Sequence, residues 1–366
     1  MKFRICLLFN LFLCFILIIP AKNLIAKQKW KGKIRKEKGI IIIENKGNGI
    51  YGKDIKNKIS FKEILSIGVE EGPDYLMFGN YIKVDVDQEE NVYILDSQNS
   101  RVLKFDKNGK FLWQVGRKGQ GPGEFEYPED LIITENELIV AESTRIHYFD
   151  KNGNFKKTYR MEKPIKGIIA CPDNQIIASL LITGQVGVGC AFFTKEGKLI
   201  RIFKSQVGKK IFEDRGKNKA KLIWGGGYVN IFKNSIYICL PEKYEIQVYA
   251  MDGKLIKKIF RDIKIKPAEV QVFEGGGGFV MDMDEVGPIY FLKDGTLIVK
   301  LRLAKGEGKD FHYEYYLDFF NKDFKFLGSY PVAKDMDLVK ADSFNNFYFL
   351  QKYPFPKIIK CTLEMH

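Results

Sequence analysis

An all-β fold, a six-bladed β-propeller whose last blade is closed by an N-terminal strand, is predicted by three observations. The first is a repeat: the turn glycines Gly109, Gly153 and Gly197 follow one another at 44-residue intervals, each behind a strand-like block. The second is composition, because 29 Phe, 18 Tyr and 34 Gly in 366 residues favour strands and tight turns over helices. The third is a last repeat that lacks its outer strand while a matching strand stands unassigned near the N-terminus. No change of composition splits the chain into two ordinary domains, so one closed array is expected.

In chain order, residues 1–26 read as a signal peptide or an N-terminal anchor. Lys2 and Arg4 precede an apolar run over 5–19, Pro20 breaks it, and Ala26 offers a small residue for cleavage. The run is shorter than the roughly 20 residues of a spanning helix, which favours cleavage. Lys27, Lys29, Lys31, Lys33, Arg35, Lys36 and Lys38 follow it, and positive charge there opposes simple translocation, so the anchored form stays open. Cys14 follows Leu13, where a lipidation site wants a small residue. Residues 27–58 read as a basic linker with one extra strand, and 59–366 as the propeller. The expected location is outside the cytoplasm, periplasmic or extracellular.

The net charge of +14 is concentrated in this leader. Residues 1–38 hold ten Lys or Arg and one Glu, which is +9 and leaves +5 for the remainder. A solvated basic leader accounts for that imbalance without a nucleic-acid partner, and no helix-turn-helix pattern or finger spacing argues for one. Cys171, Cys190, Cys239 and Cys361 have no C-x-x-C spacing, so they read as single thiols buried in strands and not as a zinc site.

Blade one consists of strands at 91–96, 101–105 and 111–115, the last two joined by Asp106-Lys107-Asn108-Gly109-Lys110. Apolar residues alternate or run in short blocks, as strands require, and Asn-Gly reads as a two-residue turn with positive φ at both positions. Blade two repeats this at 136–142, 145–149 and the turn 150–154. Blade three has 174–181, 190–193 and 195–198. Blade four, after a longer polar insertion, has 235–240, 245–249 and 251–254. Blade five has 295–301, 313–319 and a turn, Asn321-Lys322-Asp323-Phe324, that lacks the glycine. Blade six has 347–350 and 357–362, and then the chain ends. The missing strand is supplied by 59–67, which matches 111–115 down to the glycine that ends it; Gly68 and Gly116 are 48 residues apart. Gly72-Pro73 with Phe78 follows Gly68 much as Gly121-Pro122 with Phe125 follows Gly116. Closing the ring in this way removes exposed sheet edges.

Asp96-Ser97-Gln98-Asn99-Ser100-Arg101-Val102 with Phe105-Asp106 and Gly109, and the linker 116–125 with Tyr127-Pro128, resemble the NHL-repeat group of six-bladed propellers, bacterial exported members among them. The resemblance covers blade one and its linker well and blade two in part. Blades three to six share only the strand pattern. It implies that the loop between the second and third strands and the linker between blades meet on one face around the channel, where ligands bind. The residues expected on that face are Asp96, Gln98, Arg101, Arg117, Lys118, Gln120, Glu142 and Arg145. Two arginines beside carboxylates suit an acidic group or a peptide. The same pairs, Asp96 with Arg101 and Glu142 with Arg145, equally suit bracing of their own loops.

Other features carry less. The glycines of 116–123 lack the Lys and Ser/Thr of a phosphate loop and lead into a strand, so they read as a linker needing positive φ. The glycines of 225–227 and 275–278 read as turns or mobile loops. Asp282, Asp284 and Glu285 offer the oxygen ligands calcium takes, but at no EF-hand spacing. His147, His312 and His366 are too few for a histidine metal centre. The basic insertion 205–221 suits contact with an anionic surface and equally an exposed flexible loop.

The expected function is noncatalytic: a binding or scaffold propeller that grips a protein, peptide or glycan on its loop face. It is expected to be monomeric, without a cofactor or nucleic acid, and to meet the membrane only through an uncleaved N-terminal segment. The alternative is a metal-dependent enzyme like the lactonase or lyase propellers, for which Asp85, Asp87, Asp282 and Asp284 are the early-strand ligand candidates.

Overall fold

The computed structural model describes residues 29–170, 175–180, 189–204, 228–240, 243–266, 269–272, 278–281, 284–306 and 308–366. The leader 1–28, Cys171, the insertion 205–221, Gly225, Gly226, Gly227 and Asp282 lie outside the described residues. A hairpin of β1 (Gly32–Glu37) and β2 (Ile40–Asn45) comes first, then β3 (Ile59–Ile67). Blade one follows as β4 (Ile82–Val86), β5 (Val92–Asp96), β6 (Arg101–Phe105) and β7 (Phe111–Val115). Blade two is β8 (Pro128–Ile133), β9 (Glu137–Glu142), β10 (Arg145–Asp150) and β11 (Phe155–Arg160). Blade three is β12 (Ile165–Ala170), β13 (Ile176–Leu180), β14 (Gly189–Phe193) and β15 (Leu199–Lys204). Blade four is β16 (Tyr228–Phe232), β17 (Ser235–Leu240), β18 (Glu245–Ala250) and β19 (Leu255–Arg261), followed by a short hairpin, β20 (Glu269–Val272) and β21 (Gly278–Met281). Blade five is β22 (Glu285–Phe291), β23 (Leu297–Lys305), β24 (His312–Phe320) and β25 (Phe326–Val332). Blade six is β26 (Met336–Ala341), β27 (Asn346–Gln351) and β28 (Lys357–Met365), and its fourth strand is β3.

The closure is antiparallel and long, running from Ile67 opposite Ile358 to Ile59 opposite Met365. Its physical basis is the burial of both flanks of every blade. Six apolar clusters fill the six gaps between neighbours. Blades one and two bury Tyr93, Leu95, Phe125, Leu138 and Phe149 between them, and similar sets lie between two and three, three and four, four and five, and five and six. The sixth joins Tyr348, Leu350 and Ile358 of blade six to Ile82, Val84 and Ile94 of blade one. Phe78 plays there the part that Phe125 plays one blade later: it packs edge-on to Phe105 at 6.4 Å, as Phe125 packs edge-on to Phe149 at 5.8 Å.

Where the sequence suggested one extra strand before residue 59, there are two. Strand β2 pairs in parallel with β19, Ile41 opposite Lys257 through Asn45 opposite Arg261, so blade four gains a six-stranded sheet with β1 at its rim. The chain then crosses blade five, the Ile50 and Tyr51 amides donating to the Phe326 and Leu327 carbonyls at 3.1 and 2.8 Å, before entering blade six as β3. Asn45, fully buried, is the clasp of this strap. Its Nδ2 donates to Phe260 O and Phe324 O, both at 3.1 Å, and its Oδ1 accepts from Phe326 N and Trp30 Nε1, both at 2.8 Å.

The hairpin turns correct one detail. Of the Asn-Gly pair only Gly109 has positive φ, +82°. Asp106 caps the turn through its carboxylate, which accepts from the Asn108 and Lys110 amides at 2.9 and 2.8 Å, while Gly109 N donates to Asp106 O. A longer turn with a glycine bulge results, and the register slips between Lys104 and Phe105. Blade five builds the same turn without glycine: Asn321 replaces the aspartate and Phe324 takes φ +60°. Cys190, Cys239 and Cys361 are buried free thiols, and burial raises all three, Cys190 to about 12 and Cys361 to about 11.

Candidate functional site

Strand starts and ends place the loop face. The turn between second and third strands and the linker between blades share one end of the ring, opposite the Asp106-type turns. In blade one two members of the resemblance set are interior. Asp96 is fully buried, and Arg101 is 5% exposed. Asp96 accepts from Arg101 at 3.2 Å, from Asn99 Nδ2 at 2.7 Å and from Gly79 N at 3.2 Å. Arg101 spends its remaining donors on the Asp74 carboxylate, on Asp74 O at 3.0 Å and on Met77 O at 2.7 Å. The pair therefore ties the loop to the linker that enters blade one.

Blade two repeats the arrangement with a different base. Glu142 accepts from the Glu126 amide, Tyr127 N at 2.8 Å, Arg145 Nε at 2.6 Å and His147 Nε2 at 3.1 Å. With a carboxylate as its acceptor, Nε2 carries the His147 proton, and Nδ1 accepts from the Thr158 hydroxyl at 2.9 Å. Burial works against the Glu142 charge, but the bonds from His147, Tyr127 and Glu126 and the Arg145 charge outweigh it and hold the carboxyl at about 2. Gln98, Arg117, Lys118 and Gln120 remain exposed on this face. Arg117 is held by Glu124 at 2.7 Å, Gln120 reaches Glu126 at 3.2 Å, and the linker folds over Phe125. Gly116 at φ +89° leaves no room for a side chain, since a Cβ there would meet Phe125 at 2.3 Å.

The early-strand carboxylates do not converge. Asp85 accepts from Ile133 N of the next blade at 2.8 Å and pairs with Lys340 of blade six at 2.5 Å. Burial disfavours the Lys340 charge, but Asp85 outweighs it and raises the pKa. Asp130 passes the contact onward to Ile168 N at 3.0 Å, and desolvation in the channel wall raises it. Asp87 belongs to the opposite face, bonded to Asn91 and Tyr93. Asp284 caps Lys266 N and Ala304 N. Among the described residues no three His, Cys, Asp or Glu side chains form a metal-binding group.

The loop face does hold a cleft, at the channel mouth where blade five meets blade six. About 350 Å³ of open volume is lined by blade five (Glu285, Lys300, Arg302, Tyr315, Tyr316), blade six (Lys334, Asp335, Asp337, Lys352), Tyr228 of blade four and Lys83 of blade one. One wall exists because β23 and β24 run nine residues each, against five in β5 and β6. Four further residues lift the hairpin roughly 13 Å above the ring. On that wall Arg302 lies 4.7 Å over the Tyr313 ring and 3.1 Å from Glu285, which also accepts from the Tyr228 hydroxyl. Lys300 is bonded to Asp337. No motif pointed here. The available signal was spacing: Leu297 to Asn321 is 24 residues, where Val92 to Asp106 is 14.

A family model described as a 6-bladed beta-propeller, DUF5128, matches residues 43–179. Protein brain tumor of Drosophila melanogaster is 28% identical over 97 residues, which is 25% of this chain and 9% of that protein. A DUF4221 member from Bacteroides vulgatus superposes with a TM-score of 0.58 at 12% identity, over 85% of this chain and all of that one. A protein from Bacteroides fragilis, whose name gives it an inferred export, superposes at 0.55 with 12% identity, over 89% of this chain and 99% of that one. Identity this low speaks to fold alone. By its own strand order and by these likenesses the chain is an all-β, six-bladed propeller.

Proposed function

We propose that the chain is an exported recognition propeller without catalysis of its own, which holds a protein, peptide or glycan on its loop face. The observation that carries this reading is the cleft at the mouth of the channel, concave, charged and edged with tyrosine, on a ring otherwise held rigid by its interblade cores. The exposed residues Gln98, Arg117, Lys118 and Gln120 extend, on this reading, the surface a ligand would meet. On this reading the propeller acts as a monomer and needs no cofactor. Kinship with the NHL-repeat group rests on the blade-one motif, which folds as a buried Asp96–Arg101 brace.

Export is supported by the basic, apolar and small-residue order of 2–26, and one fold relative carries the same inference in its name. N-terminal sequencing of the protein recovered outside the cytoplasm is expected to begin near residue 27. An intact start at Met1 in membranes would give the anchored form. The recognition reading is tested with glycan and peptide arrays probed by wild-type protein and Tyr315→Ala. Capture lost in the variant at an unchanged unfolding midpoint supports it. Turnover of a captured ligand, or capture indifferent to every change on the loop face, overturns it.

A further inference from the structure

We infer that the cleft between blades five and six binds the end of an acidic saccharide, a short chain of sugars bearing carboxylates; this rests on the recognition reading above and names its ligand. The argument begins with charge. Each carboxylate in the cleft is already engaged: Glu285 by Arg302 and the Tyr228 hydroxyl, Asp337 by Lys300, and Asp335 by Gln351 Nε2 at 3.2 Å. Two ammonium groups are not. Lys334 and Lys352 are exposed at the cleft and, among the described residues, their side chains have no hydrogen bond or ion pair, whereas Lys83 faces the Asp130 and Glu129 carboxylates. The charge left unanswered by the protein is therefore positive and held at two points of the rim, which is what carboxylates on one ligand would neutralise.

The remaining lining decides between sugar and peptide. A peptide captured by a sheet needs an unpaired strand edge for its own amides. Where they line the cleft, residues 300–302 of β23 and 315–317 of β24 lie within sheet flanked by β22 and β25, and the free outer edges of 303–305 and 312–314 lie beyond the lining. What the cleft offers instead is tyrosine rings, Tyr228, Tyr315 and Tyr316, beside fixed donors and acceptors. Such a ring gives an apolar face for the C–H side of a sugar, and the charged groups around it serve hydroxyls. The volume, about 350 Å³, stands at the low end for ligand sites and admits a chain end better than a folded surface.

The test is calorimetric titration of the full chain with trigalacturonate and trimannuronate, with their methyl esters, and with triglutamate. At least one acidic trimer is expected to bind, its ester at least about tenfold more weakly, and Lys334→Ala/Lys352→Ala to weaken the acid by about tenfold with an unchanged unfolding midpoint. Esters that bind as well as the acids overturn the ligand class while leaving recognition standing. Triglutamate binding as tightly as the sugars overturns the saccharide in favour of an acidic peptide. If neither uronate binds, or the lysine variant binds as wild type does, the cleft is not this site, and the array experiment then decides separately whether the loop face recognises anything.

Discussion

Asp96, Arg101, Glu142 and Arg145 show how one residue pattern supports two different uses. A carboxylate and an arginine three or five positions apart across a loop can face a ligand or close on each other, and spacing alone does not separate these. Burial does. Arg101→Ala would leave the Asp96 carboxylate in a fully buried site without its counter-charge, a loss of roughly 3–5 kcal/mol. Chemical denaturation should register it as a large drop in midpoint. Glu142 gives a pH-dependent counterpart. Its carboxyl sits near 2 when folded against a usual 4.5, so the folded state favours the anion. The resulting stability, on the order of 3 kcal/mol, is present above pH 4.5 and disappears as pH falls toward 2. Glu142→Gln should therefore be destabilised at pH 7 and indistinguishable from wild type near pH 2, read from urea unfolding at both. Lys334 and Lys352 were illegible for the opposite reason: a lone exposed lysine has no motif, and only the ring brings these two beside Lys83.

Turns and strands were the most legible elements, because period-two patterning and the turn residues carry their own physics. The strand pattern survived even where the turn signature decayed, as at Phe324. There φ is +60°, a conformation costing a non-glycine residue about 1–2 kcal/mol. The ring compensates: Phe324 is 7% exposed, lies 6.1 Å from Tyr237 and takes the Lys257 ammonium at 4.2 Å. Removing a buried phenylalanine costs about 3–5 kcal/mol, more than glycine would recover. Phe324→Gly is thus expected to lower stability by about 2 kcal/mol or more, whereas the sequence pattern of the other blades would call for glycine. A rise in the thermal midpoint would contradict this. Hidden from the sequence was the parallel pairing of β2 with β19. A run of four isoleucines, 40–43, reads as a strand, but nothing local names a partner more than 200 residues away.

At the scale of the ring, the fold class and the closing strand followed from one mismatch, a final repeat short by the element found near Ile59. The strap over blades four, five and six did not, since it depends on Asn45 meeting backbone groups of two blades at once. A chain beginning at residue 47 keeps β3 but loses the hairpin and this clasp. It should stay folded with a lowered midpoint. One beginning at residue 69 exposes the whole edge of β28 and should aggregate, as light scattering would show.

The closing pair also sets an order of events. Strand β3 precedes blade one and its partner β28 belongs to blade six, so the whole ring lies between them in the chain. Of the two, β3 emerges first and must wait, unmatched, until all the intervening blades have been made, so the circle is completed by its most distant pair. Transplanting 59–68 behind His366 places the two partners side by side in time, and refolding measured by tryptophan fluorescence should then be faster at comparable stability.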